Sequence, residues 1–275
     1  MGAGMSSQYA TMGKIRNWGI EASLRSMNIK TKDFSWSTNL QFTLSRSILK
    51  ELYGDGNDDI TNELFLNESL GAIYGYKFDR VVQTDDQAYI EKNGAKPGDP
   101  MYVDMDGNGV ITPEDRTILG FNKPAFILNM GNTLTWKDFS LYFLFSGTFS
   151  SGKYGIAANN NAFVSFENMA YVNAEDHPFW TEENRDTKHL GPNGDLSKFT
   201  GTQKYGFIRL QDVNLSYNVK GNWMKKIGIN GLQAYVSGSN LFFFAPDCEF
   251  SDPEVRDSRG FQLARTFTFG LNLRF

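Results

Sequence analysis

Hydrophobicity alternates along this chain with a period of two. Between residues 34 and 45, Phe34, Trp36, Leu40, Phe42 and Leu44 take even positions, and Ser35, Ser37, Asn39, Gln41, Thr43 and Ser45 take the odd ones. The last residues repeat the pattern, with Phe267, Phe269, Leu271, Leu273 and Phe275 set against Thr268, Gly270, Asn272 and Arg274. An extended strand puts alternate residues on opposite sides, so each stretch has one apolar and one polar face. Weaker versions occupy 19–30, 71–83, 124–136, 138–150, 205–219 and 231–244. Several exceed ten residues. Globular strands usually run about five or six, whereas a tilted membrane strand needs about 9–11. The aromatic and glycine content (Phe 23, Tyr 12, Trp 5, Gly 27) suits many strands joined by turns.

Other classes are excluded quickly. Apolar runs such as 141–145 are far shorter than the roughly 20 residues of a spanning helix. A mean hydropathy of -0.40 is uninformative for a barrel, whose strands alternate. A net charge of -4 over 275 residues argues against nucleic acid as a partner. One cysteine, Cys248, rules out a disulfide framework, and His177 and His189 leave little for histidine-ligated metal. The first ten residues have neither the charged nor the apolar region of a signal peptide, so either the protein stays inside the cell or the chain belongs to something longer.

Connections alternate between short (30–33, 136–138, 220–230) and long (84–123, 151–204, 245–262). Short turns on one rim and long loops on the other describe an outer-membrane barrel. The interval 47–70 breaks the rule, and an extra strand at 60–66 (Ile60, Leu64, Leu66) restores it. The pattern therefore predicts an all-β fold: an antiparallel transmembrane β-barrel segment of about nine strands with long extracellular loops. A soluble β-sandwich alternates in the same way and is the other reading.

Four blocks carry a family resemblance. They are GKIRNWGIE at 13–21, YVDMDGNGVITPEDR at 102–116 with ILG at 118–120, FIRLQDVNLSY at 207–217, and SGSNLF at 237–242 followed by Asp252-Pro253-Glu254 and RTFTFGLNLRF at 265–275. In this order they resemble the C-terminal barrel portion of the SusC/RagA family of TonB-linked outer-membrane transporters. Residues 1–275 then correspond to that portion, with the plug domain and the first barrel strands absent. The resemblance implies a complete barrel of about 22 strands, outer-membrane lipid around it, a SusD-like surface lipoprotein as partner, and contact with the TonB complex only through the absent plug region. It also implies that the edge Phe267, Phe269, Leu271, Leu273 and Phe275 is read by the barrel-insertion machinery.

The sharpest local motif lies in the 84–123 loop. In a twelve-residue calcium loop, side chains at positions 1, 3, 5 and 12, a carbonyl at 7 and a glycine at 6 serve the ion. Those positions are Asp104, Asp106, Asn108, Asp115, Val110 and Gly109, with Thr112 at position 9. The motif points to structural Ca2+ in that loop. Asp rather than Glu at position 12, and the lack of a clear preceding helix, leave a metal-free Asx/Gly turn as the alternative. The aromatic residues of the outer loops, among them Phe179, Trp180 and Tyr171, are candidates for lipoprotein or substrate contact. His177 and His189, near Asp176, Glu182 and Glu183, read as a solvated loop face, and no nucleophile or phosphate-binding motif accompanies them, so no enzyme is expected.

Two functions follow. One is a barrel segment of a transporter for glycan fragments or peptides in the bacterial outer membrane, lined by Ser35, Asn39, Gln41, Asn272 and Arg274. The other is a soluble, calcium-dependent carbohydrate-binding β-domain. A truncated reading frame without function is a third reading.

Overall fold

The computed structural model describes residues 13–158, 160, 163, 179–248, 252–255 and 262–275. Two long strands open the fold, β1 (Gly13–Lys30) and β2 (Phe34–Leu52), joined by a tight turn. Then come β3 (Ala72–Tyr76), β4 (Phe78–Val81), helix α1 (Gln87–Asn93), β5 (Pro100–Tyr102) and β6 (Arg116–Phe121). A second long hairpin, β7 (Phe126–Trp136) and β8 (Phe139–Phe149), is followed by the short β9 (Ile156–Ala158) and β10 (Thr202–Lys204). The chain ends with β11 (Phe207–Val219), helix α2 (Asn222–Lys226), β12 (Gly231–Phe244) and β13 (Thr266–Arg274). No described helix is long and apolar enough to cross a membrane.

Seven strands form one antiparallel sheet in the order β1-β2-β7-β8-β11-β12-β13. The sheet is open, with β1 and β13 as its edges. The fold class matches the sequence reading, but among the described residues the wall holds seven strands rather than nine. Residues 60–66 form no strand, and 71–83 supplies β3 and β4, which pair with β6 and β5 outside the wall. The whole of 53–125 is therefore a single long connection, and the short/long alternation holds without an extra strand. Local alternation cannot tell a wall strand from a short hairpin in a loop, because both need one covered face.

The register explains the two faces. Asn39 pairs with Gly131, Gln41 with Asn129, Asn129 with Ser146, and Thr133 with Tyr142. The same polar row continues as Asn214–Tyr142, Asn214–Ser237 and Ser237–Thr268. One residue along, Leu40–Met130, Leu215–Leu141, Leu215–Val236 and Val236–Phe269 make an apolar row on the opposite face. That face is exposed: Ile20, Leu24, Leu215, Phe267 and Phe269 all lie open. A water-soluble sheet would cover such an area, so it faces an apolar medium.

Two local features shape the wall. The ring of Tyr235 lies across its cross-strand partner Gly270, where a Cβ would run into the ring, so only glycine fits beneath it. Asn240 is in the left-handed region at φ 56, at the register shift between Leu210 and Asp212, where β11 and β12 bulge. Asparagine tolerates that conformation better than other non-glycine residues, which is a physical reason for the Asn within SGSNLF.

The buried hydrophobic cluster sits not in the sheet but among the long connections. Val81, Tyr102, Ile111, Phe163, Trp180, Leu190 and Phe199 pack together, with Tyr76, Phe78, Tyr89 and Leu196 around them. The described residues of 53–125 and 150–206 thus pack into one cap at the long-loop end of the sheet.

Candidate functional site

The polar face of the wall carries a hollow of about 600 Å³ lined by Arg25, Ser37, Asn39, Gln41, Asn129, Thr133, Tyr142, Ser146 and Gln211. Its donors and acceptors are uncharged apart from Arg25. Ser146 Oγ donates to Asn129 Oδ1 at 2.8 Å, while the buried Asn39 Oδ1 has no hydrogen-bond partner among the described residues. Nearer the short-turn rim, Asn272 donates to Gln233 and Gln233 to Asn218, each at 3.1 Å, bridging three strands. Of the expected lining residues, Asn39 and Gln41 line the hollow, and Asn272 lies in the rimward ladder. Ser35 and Arg274 share their face by register.

At the loop end of this face, Arg209 of β11 is buried, and Arg209 Nη2 donates to Asp252 Oδ1 at 2.5 Å. Arg209 Nε lies 2.6 Å from Glu254 Oε2. The side chains of Arg209 and Asp252 are both 3% exposed. Phe207 and Phe243 lie with ring centroids 5.6 and 5.1 Å from the guanidinium. The RL block and the Asp-Pro-Glu block, 43 residues apart, are therefore two halves of one contact. The sequence reading misses this pairing. The available signal is an arginine at a lumen-facing strand position with two carboxylates in the next long loop.

Asp104, Asp106 and Asp115 each bring a carboxylate oxygen within 4.8 Å of the others. The loop is built around these acids. Asp104 accepts from the N–H groups of Gly107 and Gly109, and Asp115 from those of Met105 and Thr112. Donation by the Thr112 N–H, with that of Met105, holds the fully buried Asp115 carboxyl below the usual carboxylate range. Gly109 has φ +87 and lies against Lys92, whose ammonium would collide with a Cβ at that position. Asn108 Oδ1 accepts from Val110 N and Asn108 Nδ2 donates to Asp106, so the amide is folded onto its own loop. Thr112 Oγ1 lies 3.3 Å from Asp115 Oδ2. As expected, no helix leads directly into the loop, which follows β5; α1, further upstream, docks on it through Asn93, whose Oδ1 accepts from Ile111 N at 2.7 Å. The sequence reading overlooks α1 because seven residues carry little periodicity.

The aromatic candidates divide. Trp180 is buried in the cap, and its Nε1 donates to Gln83 Oε1 at 3.0 Å. Its ring serves the cap interior and offers no outward contact, which corrects the expectation. Phe179 is half-buried beside it, and Tyr171 lies outside the described residues. His189, expected on a solvated face, is buried, and its Nδ1 lies 3.1 Å from Asp186 Oδ2. Asp186 also accepts from the N–H groups of Lys188 and His189, so the group closes a turn. His177 and Asp176 lie outside the described residues. Phe267, Phe269, Leu271 and Leu273 of edge strand β13 are exposed on its apolar side, as is Phe275 just beyond it.

No family model matches the chain. Over 305 residues it is 29% identical to TonB-dependent receptor P3 of Formosa agariphila, covering 99% of this chain and 30% of that protein. It is 28% identical to TonB-dependent receptor SusC of Bacteroides thetaiotaomicron over 280 residues, covering 96% of this chain and 27% of that protein. Over nearly its whole length the chain is thus similar to part of the TonB-dependent receptors, SusC among them. Among solved structures, that of the RagAB peptide transporter shares the fold, with a TM-score of 0.70 and 19% identity over 98% of this chain and 30% of that one. The chain spans about a third of its relatives' length, and its open sheet matches a segment of a barrel wall. These relatives are receptors, not enzymes.

Proposed function

We propose that the chain forms part of the wall and outer cap of an outer-membrane importer. The importer takes up glycan fragments or peptides together with a SusD-like surface lipoprotein. One observation carries this reading: the polar hollow lies on the face opposite the exposed apolar rows, beneath a folded cap of long loops. A hydrogen-bonding lining uncharged apart from Arg25 suits sugar hydroxyls and peptide amides alike, so the substrate stays at that level. RagAB is a peptide transporter, and SusC is named a TonB-dependent receptor. Energy would enter through a plug and the TonB complex, neither of which lies in these residues. Deleting the gene should abolish uptake of the cognate labelled oligosaccharide or peptide, and outer-membrane pull-down should recover a lipoprotein partner. Recovery of the folded protein in buffer without detergent would instead favour the soluble carbohydrate-binding reading.

In this reading a structural Ca2+ is held by Asp104, Asp106 and Asp115, with Asn108, the Val110 carbonyl and Thr112 completing the set. The cluster of three carboxylates supplies hard oxygen donors suited to calcium. The nearby Lys92 ammonium opposes it electrostatically. Isothermal titration on the folded protein tests the assignment, and absence of calcium heat would remove it.

A further inference from the structure

Charge is segregated along the sheet. The connections 53–125, 150–206 and 245–265 hold 26 of the 31 acidic residues of a chain whose net charge is -4. The opposite rim reverses the sign. Its turns at 30–33, 137–138 and 220–230 carry six lysines (Lys30, Lys32, Lys137, Lys220, Lys225, Lys226) against two acids, Asp33 and Asp138. Lys220 pairs with Asp138. Lys30, Lys32, Lys137 and Lys226 are exposed.

Aromatic rings edge the same rim. Trp136 and Phe139 stack with ring centroids 6.2 Å apart, Phe139 and Tyr217 meet in a tilted pair at 4.5 Å, and Lys137 Nζ lies 5.6 Å from the Trp136 ring. The 220–230 turn extends this belt. In α2, Met224 is buried, while just beside it Trp223 is 50% exposed and Ile227 60% exposed. The Trp223 indole lies over Gly221, where a Cβ would meet it at 2.6 Å, so the ring is held rather than swinging free. Exposed rings and exposed ammonium groups alternate on a rim continuous with the apolar outer face. An aromatic side chain prefers the headgroup boundary, and lysine prefers its phosphates.

We infer that the short-turn rim, with α2 towards its β12–β13 end, is a docking surface for anionic phospholipid: Trp223 and Ile227 enter the headgroup boundary, and the exposed lysines pair with lipid phosphate. The inference rests on the outer-membrane reading. It goes further by giving one rim a selectivity for charged lipid. Charge complementarity and continuity with the lipid-facing rows commit the occupant to a phospholipid leaflet rather than to a protein.

The test uses protein purified from its native outer membrane and placed in bilayers of brominated phosphatidylglycerol or brominated phosphatidylcholine. The difference in fluorescence between the native protein and Trp223→Phe isolates one indole. That signal should be quenched by both lipids. Native mass spectrometry should find phosphatidylglycerol retained over phosphatidylcholine, and Lys137→Gln with Lys226→Gln should reduce that preference about fivefold per lysine, while arginine at both positions preserves it. An unquenched Trp223 signal in protein whose other tryptophans are quenched would overturn the inference and point to a protein contact. An unchanged lipid preference in the glutamine variant would overturn it too. If no tryptophan is quenched and the protein is soluble without detergent, the outer-membrane reading itself fails.

Discussion

Arg209 and Asp252 meet at 2.5 Å with both side chains almost wholly out of solvent, and this contact ties the loop after β12 to the wall strand β11. Glu254 adds a second carboxylate on the Nε side. One guanidinium thus closes two acids and a turn, in which the Glu254 N–H also donates to Asp252. A lysine, with one compact charge, cannot span both.

Removing one partner leaves a buried charge without its counter-charge, which costs about 3–5 kcal/mol. Arg209→Met and Asp252→Asn should each release the 252–255 turn and expose it to protease while leaving the wall intact. A double-mutant cycle should show strong coupling. Two independent, additive losses would contradict the contact.

The opposite faces of β11 differ in what they tolerate. Leu215 lies in the apolar row and Asn214 in the polar one. Leu215→Arg should cost about 2–4 kcal/mol of stability in a bilayer if it lies near mid-membrane, whereas Asn214→Arg should leave insertion intact. Heat-modifiable gel migration and urea unfolding in bilayers measure both. Equal effects would invert the face assignment.

Trp180→Ala should loosen the cap by about 3–5 kcal/mol, because it empties an aromatic-sized volume and leaves Gln83 without its donor. Phe179→Ala, at a half-buried position, should do less. Hydrogen exchange across 76–111 and 190–200 reports the difference. An intact cap in Trp180→Ala would show that the cluster does not depend on it.

The 104–115 loop should be acid-sensitive. Asp115 is held below its ordinary range first by the Thr112 N–H, and Asp86 first by hydrogen bonding to Arg80. A depressed carboxylate contributes stability that is complete above the unfolded-state value and is lost as pH falls through the folded one. Between pH 7 and 5 the loop should stay protected. Exchange at Met105, Gly107 and Thr112 should accelerate only in more acid solution, and Asp115→Asn should bring the acceleration to neutral pH. Loss of protection between pH 7 and 5 in the native chain would count against this account.

How much of the fold and site is legible in the sequence depends on distance along the chain. Alternation is local, so Phe34 to Ser45 and Phe267 to Phe275 can be given faces from sequence, and the paired strands carry those faces. The Asp104–Asp115 loop is legible for the same reason, since its donors and acceptors lie within twelve positions. The cap is not. Burying Trp180 against Gln83 joins residues 97 apart, and composition does not reveal whether an aromatic loop turns inward or outward.

Sequence by itself determined which side chains share a strand face and where the short turns fall, because both follow from covalent spacing. Tertiary structure decided that the described wall holds seven strands, that β3 to β6 leave it for the cap, and that Arg209 finds Asp252. Those outcomes depend on which surfaces can be buried together across dozens of residues, and closing such loops is repaid only by long-range contacts.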